Sequence, residues 1–347
     1  MKASGQRIFL IVLTAGILIR LIQYFYSRSL WVDEAMLSLN IIQCGFRELM
    51  LPLKHEQVAP VLFLWIEKTS VLLFGNNEFS LRLFPLLCGI TILPLVYDVT
   101  RRLTADSTTA IVVLVFFAFS RTFVFFSTET KQYCSDLLLS LLFLRLILSE
   151  HPRKHLFLFL LGFTGIVLSN VGIVIVTMYA CWFFSEQVRE RKLDWKNWLM
   201  LAVLAGWFMV CYRAFIKGHP TQSVMIEYWQ GHFIPDHPLT LTFWKWLIRH
   251  FVVIYSTLLG FNEHFPASIR NFIGTAFLFV AVYGAVRYLR SVANRNLALL
   301  LSAPILIHLM LAALHLYPFS SRLVLYLSPF LLIPAAQSSR YHIRTMD

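Results

Sequence analysis

Apolar segments of near-span length recur from Ile8 to Ala336, and the stretch between Lys217 and Asn271 is the one long polar interruption. A chain so patterned has a bilayer as its solvent and leaves no room for an independent soluble catalytic domain. Any chemistry must then be assembled from helix ends and loops. Hydrophobic residues make up 58% and charged residues only 14% of the sequence, against about 25% charged in a soluble domain. The expected fold is all-α: a polytopic integral membrane protein, one membrane domain over residues 1–347.

The net charge of +12 does not point to nucleic acid. Its Lys and Arg fall in short clusters between apolar segments, where they act as orientation signals. Five cysteines (Cys44, Cys88, Cys134, Cys181 and Cys211) are odd in number, without paired spacing, and four lie in predicted spans; they read as small core residues. Ile8 to Tyr26 follows Lys2 and Arg7, is longer than a signal-peptide core and has no small-residue cleavage site after it, so it reads as a first span.

The basic clusters set the topology. They are Lys2/Arg7, Arg101/Arg102, Arg153/Lys154, the group Arg189, Arg191, Lys192 and Lys196, then Arg287/Arg290/Arg295, and Arg340/Arg344. All six face the cytoplasm only if an even number of crossings separates each from the next. Val58 to Phe74 is long enough to tempt a span assignment, but it carries Glu67 and Lys68 in its middle, each costing about 2.5–3.5 kcal/mol at a bilayer centre. It is expected to lie along the outer surface, within a first outer loop at 27–80. About ten crossings follow, with a second outer loop at 217–271.

With this topology the outer face collects Asp33, Glu34, His55, Glu56, Glu129, Lys131, Tyr133 and Arg322, with Arg82 at the outer end of the second span. Carboxylates and cations meeting at a membrane surface suit a reaction between a hydroxyl nucleophile and a lipid-phosphate leaving group. Asp33 and Glu34 open an amphipathic helix whose N-terminus favours an ionised carboxylate. A lone acid there could be a simple cap, but capping does not explain the second. Glu129, Lys131 and Tyr133 pack an acid, a base and a phenol into five positions. Arg322 offers a fork of donors suited to phosphate, although an arginine at a helix end also snorkels. Tyr228, Trp229, Phe233, Trp244 and Trp246 read first as an interfacial aromatic belt.

The pair Asp33-Glu34 after the first span, the element Phe74-Gly75-Asn76-Asn77-Glu78-Phe79-Ser80-Leu81-Arg82 and the acidic second outer loop resemble the protein O-mannosyltransferase-like and aminoarabinose transferase-like branch of the GT-C membrane glycosyltransferases. The resemblance covers roughly Ile8 to Leu148, a GT-C-type module at 1–150, with 151–347 supplying further spans. Tyr317-Pro318-Phe319-Ser320-Ser321-Arg322 looks like a feature of bacterial members. The resemblance implies a polyprenyl-phosphate sugar donor, transfer on the non-cytoplasmic face, Asp33 as base with Glu34 supporting it, and Glu129 as the second-loop acid. Many relatives carry His-Pro-Pro before the surface helix, whereas this chain has His55-Glu56-Gln57-Val58-Ala59-Pro60.

The expected function is therefore inverting transfer of a sugar from a polyprenyl-phosphate donor to a hydroxyl on a glycan, lipid or protein acceptor, at the outer face of a bacterial inner membrane. The catalytic set is Asp33, Glu34 and Glu129, and the substrate-binding set is Arg322, Lys131, Tyr133, Glu56, His55 and Arg82. Mg²⁺ or Mn²⁺ could sit on Asp33 and Glu129, though a lone base needs no ion. A lipid-linked sugar flippase or a non-catalytic part of an envelope polysaccharide complex are the competing readings.

Overall fold

The computed structural model describes residues 3–191, 193–217, 220, 222–235, 237, 240–290 and 295–337; the cluster residues Lys2, Lys192, Arg340 and Arg344 lie outside them. The described residues form an all-α membrane protein, as the sequence implies. Helix α1 (Ala3–Phe25) leads into a surface module of α2 (Val32–Gln43) and α3 (Val61–Phe74). Then come α4 (Glu78–Thr104), α5 (Ser107–Phe119), α6 (Arg121–Phe126), α7 (Tyr133–Ile147), α8 (Lys154–Leu168), α9 (Gly172–Glu190) and α10 (Trp195–Cys211). A short α11 (Gln222–Tyr228) and α12 (Leu241–Leu258) precede α13 (Ala267–Arg290), α14 (Arg295–Ala313) and α15 (Ser328–Gln337).

Five stretches are long and apolar enough to cross a bilayer unaided: Ser4–Phe25, Glu78–Thr104, Trp195–Ile216, Ala267–Arg287 and Asn296–Ala313. α5, α8 and Leu325–Ala336 are apolar but shorter. The expected count of about ten therefore depends on paired short helices. α5 and α6 make one such pair, broken at Ser120, whose extended backbone ends α5 and starts α6. At this break the guanidinium of Arg20, buried in α1, donates to the carbonyls of Phe117 (2.7 Å) and Ala118 (3.2 Å). A buried cation is tolerable here because polar backbone groups surround it.

α3 has 14 residues, a length of about 21 Å against a hydrocarbon core of about 30 Å. Its N-terminal end follows Gln57, which accepts a hydrogen bond from Lys131 (2.8 Å). Its C-terminal end turns at Gly75, with φ +87°, into the Asn77 cap of α4, and Ser70 Oγ donates to Ser80 O (2.6 Å). Both ends thus lie at one end of the bundle, and α3 does not cross. α2 and α3 bury a small core of their own, Leu37, Ile41, Leu49, Phe63, Leu64, Val71 and Leu81. The two charges of α3 differ in their surroundings. Lys68 reaches the carbonyl of Ile42 (3.0 Å), but Glu67 is fully buried, and neither of its carboxyl oxygens has a hydrogen-bond partner among the described residues. Burial pushes its carboxyl well above the usual carboxylate range, toward the neutral form.

Side-chain contacts confirm which helix ends share a side. Asp98 of α4 pairs with Arg102 (2.9 Å) and with Arg145 of α7, and Asn296 at the start of α14 donates to Glu186 near the end of α9 (2.6 Å). These bonds tie the neighbourhoods of four basic clusters to one end of the bundle. The residues singled out for chemistry gather at the other end.

Candidate active site

Asp33, second residue of α2, lies between two cations. Lys131 Nζ is 3.0 Å from Oδ1 and Arg322 NH1 is 3.3 Å from Oδ2. These residues are separated by 98 and 289 positions in sequence, and only the bundle brings them together. Lys131 is held from behind by Gln57 Oε1 (2.8 Å). Its desolvation lowers the ammonium pKa, an effect that Asp33 and then Glu129 oppose. The Arg322 guanidinium lies 4.9 Å from the ring centre of Trp229 and 5.6 Å from that of Trp31, within cation–π range of both.

Glu129, between α6 and α7, is fully buried. Its Oε1 accepts from Trp31 Nε1 (2.9 Å), while Oε2 has no hydrogen-bond partner among the described residues. Burial first, and then the neighbouring Glu34 charge, push its pKa up to about 7, against the pull of the Trp31 bond, Lys131 and Arg28. A carboxyl so poised changes charge near neutral pH. Tyr133 opens α7 in the same buried region and packs edge-on against Phe126 (5.1 Å).

Glu34 plays a different part from its neighbour. It is completely buried and accepts from Arg28 NH1 (2.7 Å), Arg82 NH2 (3.3 Å) and Nε (3.4 Å), and the Thr130 backbone N–H (3.0 Å). Arg82 also donates to the Arg28 carbonyl (2.7 Å). This saturated knot pins the Glu129 loop to α2 and to the start of α4. Glu34, expected to support the base, is thus buried in contacts of its own, and Arg82, expected to bind substrate, pairs with it. His55 and Glu56, expected to bind substrate, point to solvent. Both sit on an exposed turn with φ +60° and +56°, which swings their side chains away and turns Gln57 inward. Sequence inspection missed Gln57, Trp31 and the role of Trp229, which it assigned to the aromatic belt; Tyr228 and Trp244 remain exposed.

Mg²⁺ or Mn²⁺ fits these residues poorly. No three His, Cys, Asp or Glu side chains converge among the described residues. Asp33 already pairs with two cations, and Lys131 lies within electrostatic reach of Glu129, so a divalent ion placed on Asp33 and Glu129 would be repelled by Lys131 and Arg322.

Residues 58–178 match the family model described as dolichyl-phosphate-mannose-protein mannosyltransferase. This span takes in Glu129, Lys131 and Tyr133. Over 97% of its length the chain superposes on ArnT from Cupriavidus metallidurans, solved bound to undecaprenyl phosphate, with a TM-score of 0.61, 13% identity and 60% of that chain covered. The chain has the GT-C fold. A second GT-C structure, the archaeal oligosaccharyltransferase AglB from Archaeoglobus fulgidus in complex with an inhibitory peptide and a dolichol-phosphate, matches with a TM-score of 0.53, 12% identity, 97% of this chain and 50% of its own. An uncharacterized protein of Aquifex aeolicus (strain VF5) is 27% identical over 232 residues, 60% of this chain and 44% of the relative. The chain thus spans between 44% and 60% of the length of these relatives.

Proposed function

We propose that this multi-pass membrane protein is a glycosyltransferase that moves a sugar from a polyprenyl-phosphate donor to a hydroxyl acceptor, on the non-cytoplasmic face of a bacterial inner membrane. The observation that carries the reading is the juxtaposition of one partly exposed carboxylate, Asp33, with two cations, Lys131 and Arg322, at the bundle end opposite the basic clusters. The family match and the lipid phosphates named with the two GT-C structures support the donor class.

In this reading Asp33 takes the proton of the acceptor hydroxyl as its oxygen attacks the anomeric carbon. The bond from that carbon to the phosphate oxygen breaks, and its electron pair leaves on polyprenyl phosphate, whose added charge Lys131 and Arg322 stabilise. Attack opposite the leaving group inverts the anomeric configuration. Glu129 and Trp31 shape the wall of the site, and the acceptor is a glycan, lipid or protein hydroxyl.

The test needs no knowledge of the acceptor. Purified protein is incubated with a panel of polyprenyl-phosphate monosaccharides and free sugar is measured, with water as the acceptor. Slow hydrolysis of one donor is expected, and Asp33→Asn should reduce it by about 10²–10⁴, the usual worth of a general base. A fully active Asp33→Asn protein would end the base assignment. Movement of labelled donor between leaflets with no sugar released would favour a flippase.

A further inference from the structure

Each carboxylate oxygen of Asp33 already accepts from a cation: Oδ1 from Lys131 and Oδ2 from Arg322. Two adjacent cations compete with a proton for this carboxylate, and both cations already face a carboxylate where a phosphate would sit. The two proposed roles compete for the same contacts. We propose that Asp33 is the resident counter-ion of the phosphate clamp: the lipid phosphate displaces it from Lys131 and Arg322, and the displaced carboxylate is then presented to the acceptor hydroxyl. This rests on the reading of Lys131 and Arg322 as phosphate ligands.

The surroundings decide which partner moves. Lys131 is 6% exposed and tied to Gln57, and Arg322, though 22% exposed, lies against the rings of both Trp31 and Trp229. Asp33 is 25% exposed and sits in the first turn of α2. There the unpaired backbone N–H groups and the helix dipole keep its charge stabilised after it lets go of the cations. Each cation is thus held by contacts besides Asp33, whereas the Asp33 carboxylate has no hydrogen-bond or ion-pair partner besides the two cations among the described residues.

Charge makes the exchange economical. A sugar-linked polyprenyl phosphate is a diester carrying one negative charge, equal to that of Asp33, so the swap leaves the charge facing Lys131 and Arg322 unchanged. The leaving product is a monoester of about −1.5 to −2 near neutral pH, which binds the pair more tightly. Once the proton taken from the acceptor has passed to bulk water, the ionised Asp33 again competes for both cations and favours product release. The donor therefore binds before the base is competent, and its arrival is what frees the base.

Binding of undecaprenyl phosphate without sugar, by the full chain in nanodiscs, separates this inference from the one beneath it. Quenching or shift of tryptophan fluorescence reports on Trp31 and Trp229 beside Arg322, and inorganic phosphate is run in parallel. Asp33→Asn removes the competing charge and should tighten lipid-phosphate binding by about tenfold or more, although it abolishes transfer; Asp33→Ser, a smaller side chain, should act in the same direction. Arg322→Gln should weaken binding by a similar factor. Unchanged or weaker binding by both Asp33 variants, with Arg322→Gln still weakened, would overturn the counter-ion role and leave the clamp standing. No effect of Arg322→Gln would overturn the clamp itself. Equal affinity for inorganic phosphate would overturn the lipid assignment.

Discussion

The two ends of the bundle use the same residue types in opposite ways. At one end Asp98 meets Arg102 and Arg145, with all three side chains about a third or more exposed. At the other, Glu34 meets Arg28 and Arg82 with the carboxylate and Arg82 fully buried, and Asp33 meets Lys131 and Arg322 a few ångströms away. Exposed pairs contribute little, because water already screens both charges. Buried pairs cost desolvation and persist only where further hydrogen bonds complete the shell. Glu34 has that complete shell. Lys131 is also buried, but Asp33 and Arg322 are less enclosed, at 25% and 22% exposure.

The contrast breaks most visibly at Glu34. Glu34→Ala leaves Arg82 buried without its carboxylate, and thermal unfolding in detergent should show a loss of about 3–5 kcal/mol, with little folded protein recovered. Glu129→Gln is next. The Glu129 carboxyl is raised from 4.5 to about 7 in the folded state. Between these values the folded protein holds a proton that the unfolded chain has lost, so this group favours folding at low pH and penalises it as pH rises through the window. Gln carries no such penalty. Unfolding measured at pH 8 should show the variant more stable, by up to about 3 kcal/mol, and at pH 4.5 nearly equal to the parent; a pH-independent difference would mean that Glu129 does not titrate there. Smallest of all, Asp98→Asn should change stability by less than about 1 kcal/mol, less still at high salt. A larger loss would show that both ends are built alike.

Much of this arrangement was legible in the sequence. The basic clusters fixed a parity that placed Asp33, Glu129, Lys131 and Arg322 at one end, and the structure brings them there. The surface position of α3 was legible for a reason only half right. Lys68 reaches the carbonyl of Ile42, but Glu67 is fully buried, and burial pushes its carboxyl well above the usual carboxylate range. His55 and Glu56 show where reading stops. Parity puts a loop on a side, but two consecutive left-handed residues decide which side chain of that loop faces inward, and here it is Gln57.

Sequence by itself determined that this chain folds in a membrane, which ends of its helices share a side, and which charged residues are candidates for chemistry, because hydropathy and charge act on each segment before any packing occurs. Only the tertiary structure separated the surroundings of Asp33 from those of Glu34. Adjacent residues on a helix diverge by about 100°, enough to bury one carboxylate in an arginine knot and leave the other at the mouth of the site. It also decided that Trp31 and Trp229, 198 positions apart in sequence, would enclose one guanidinium, since no local pattern encodes a contact made across a finished bundle.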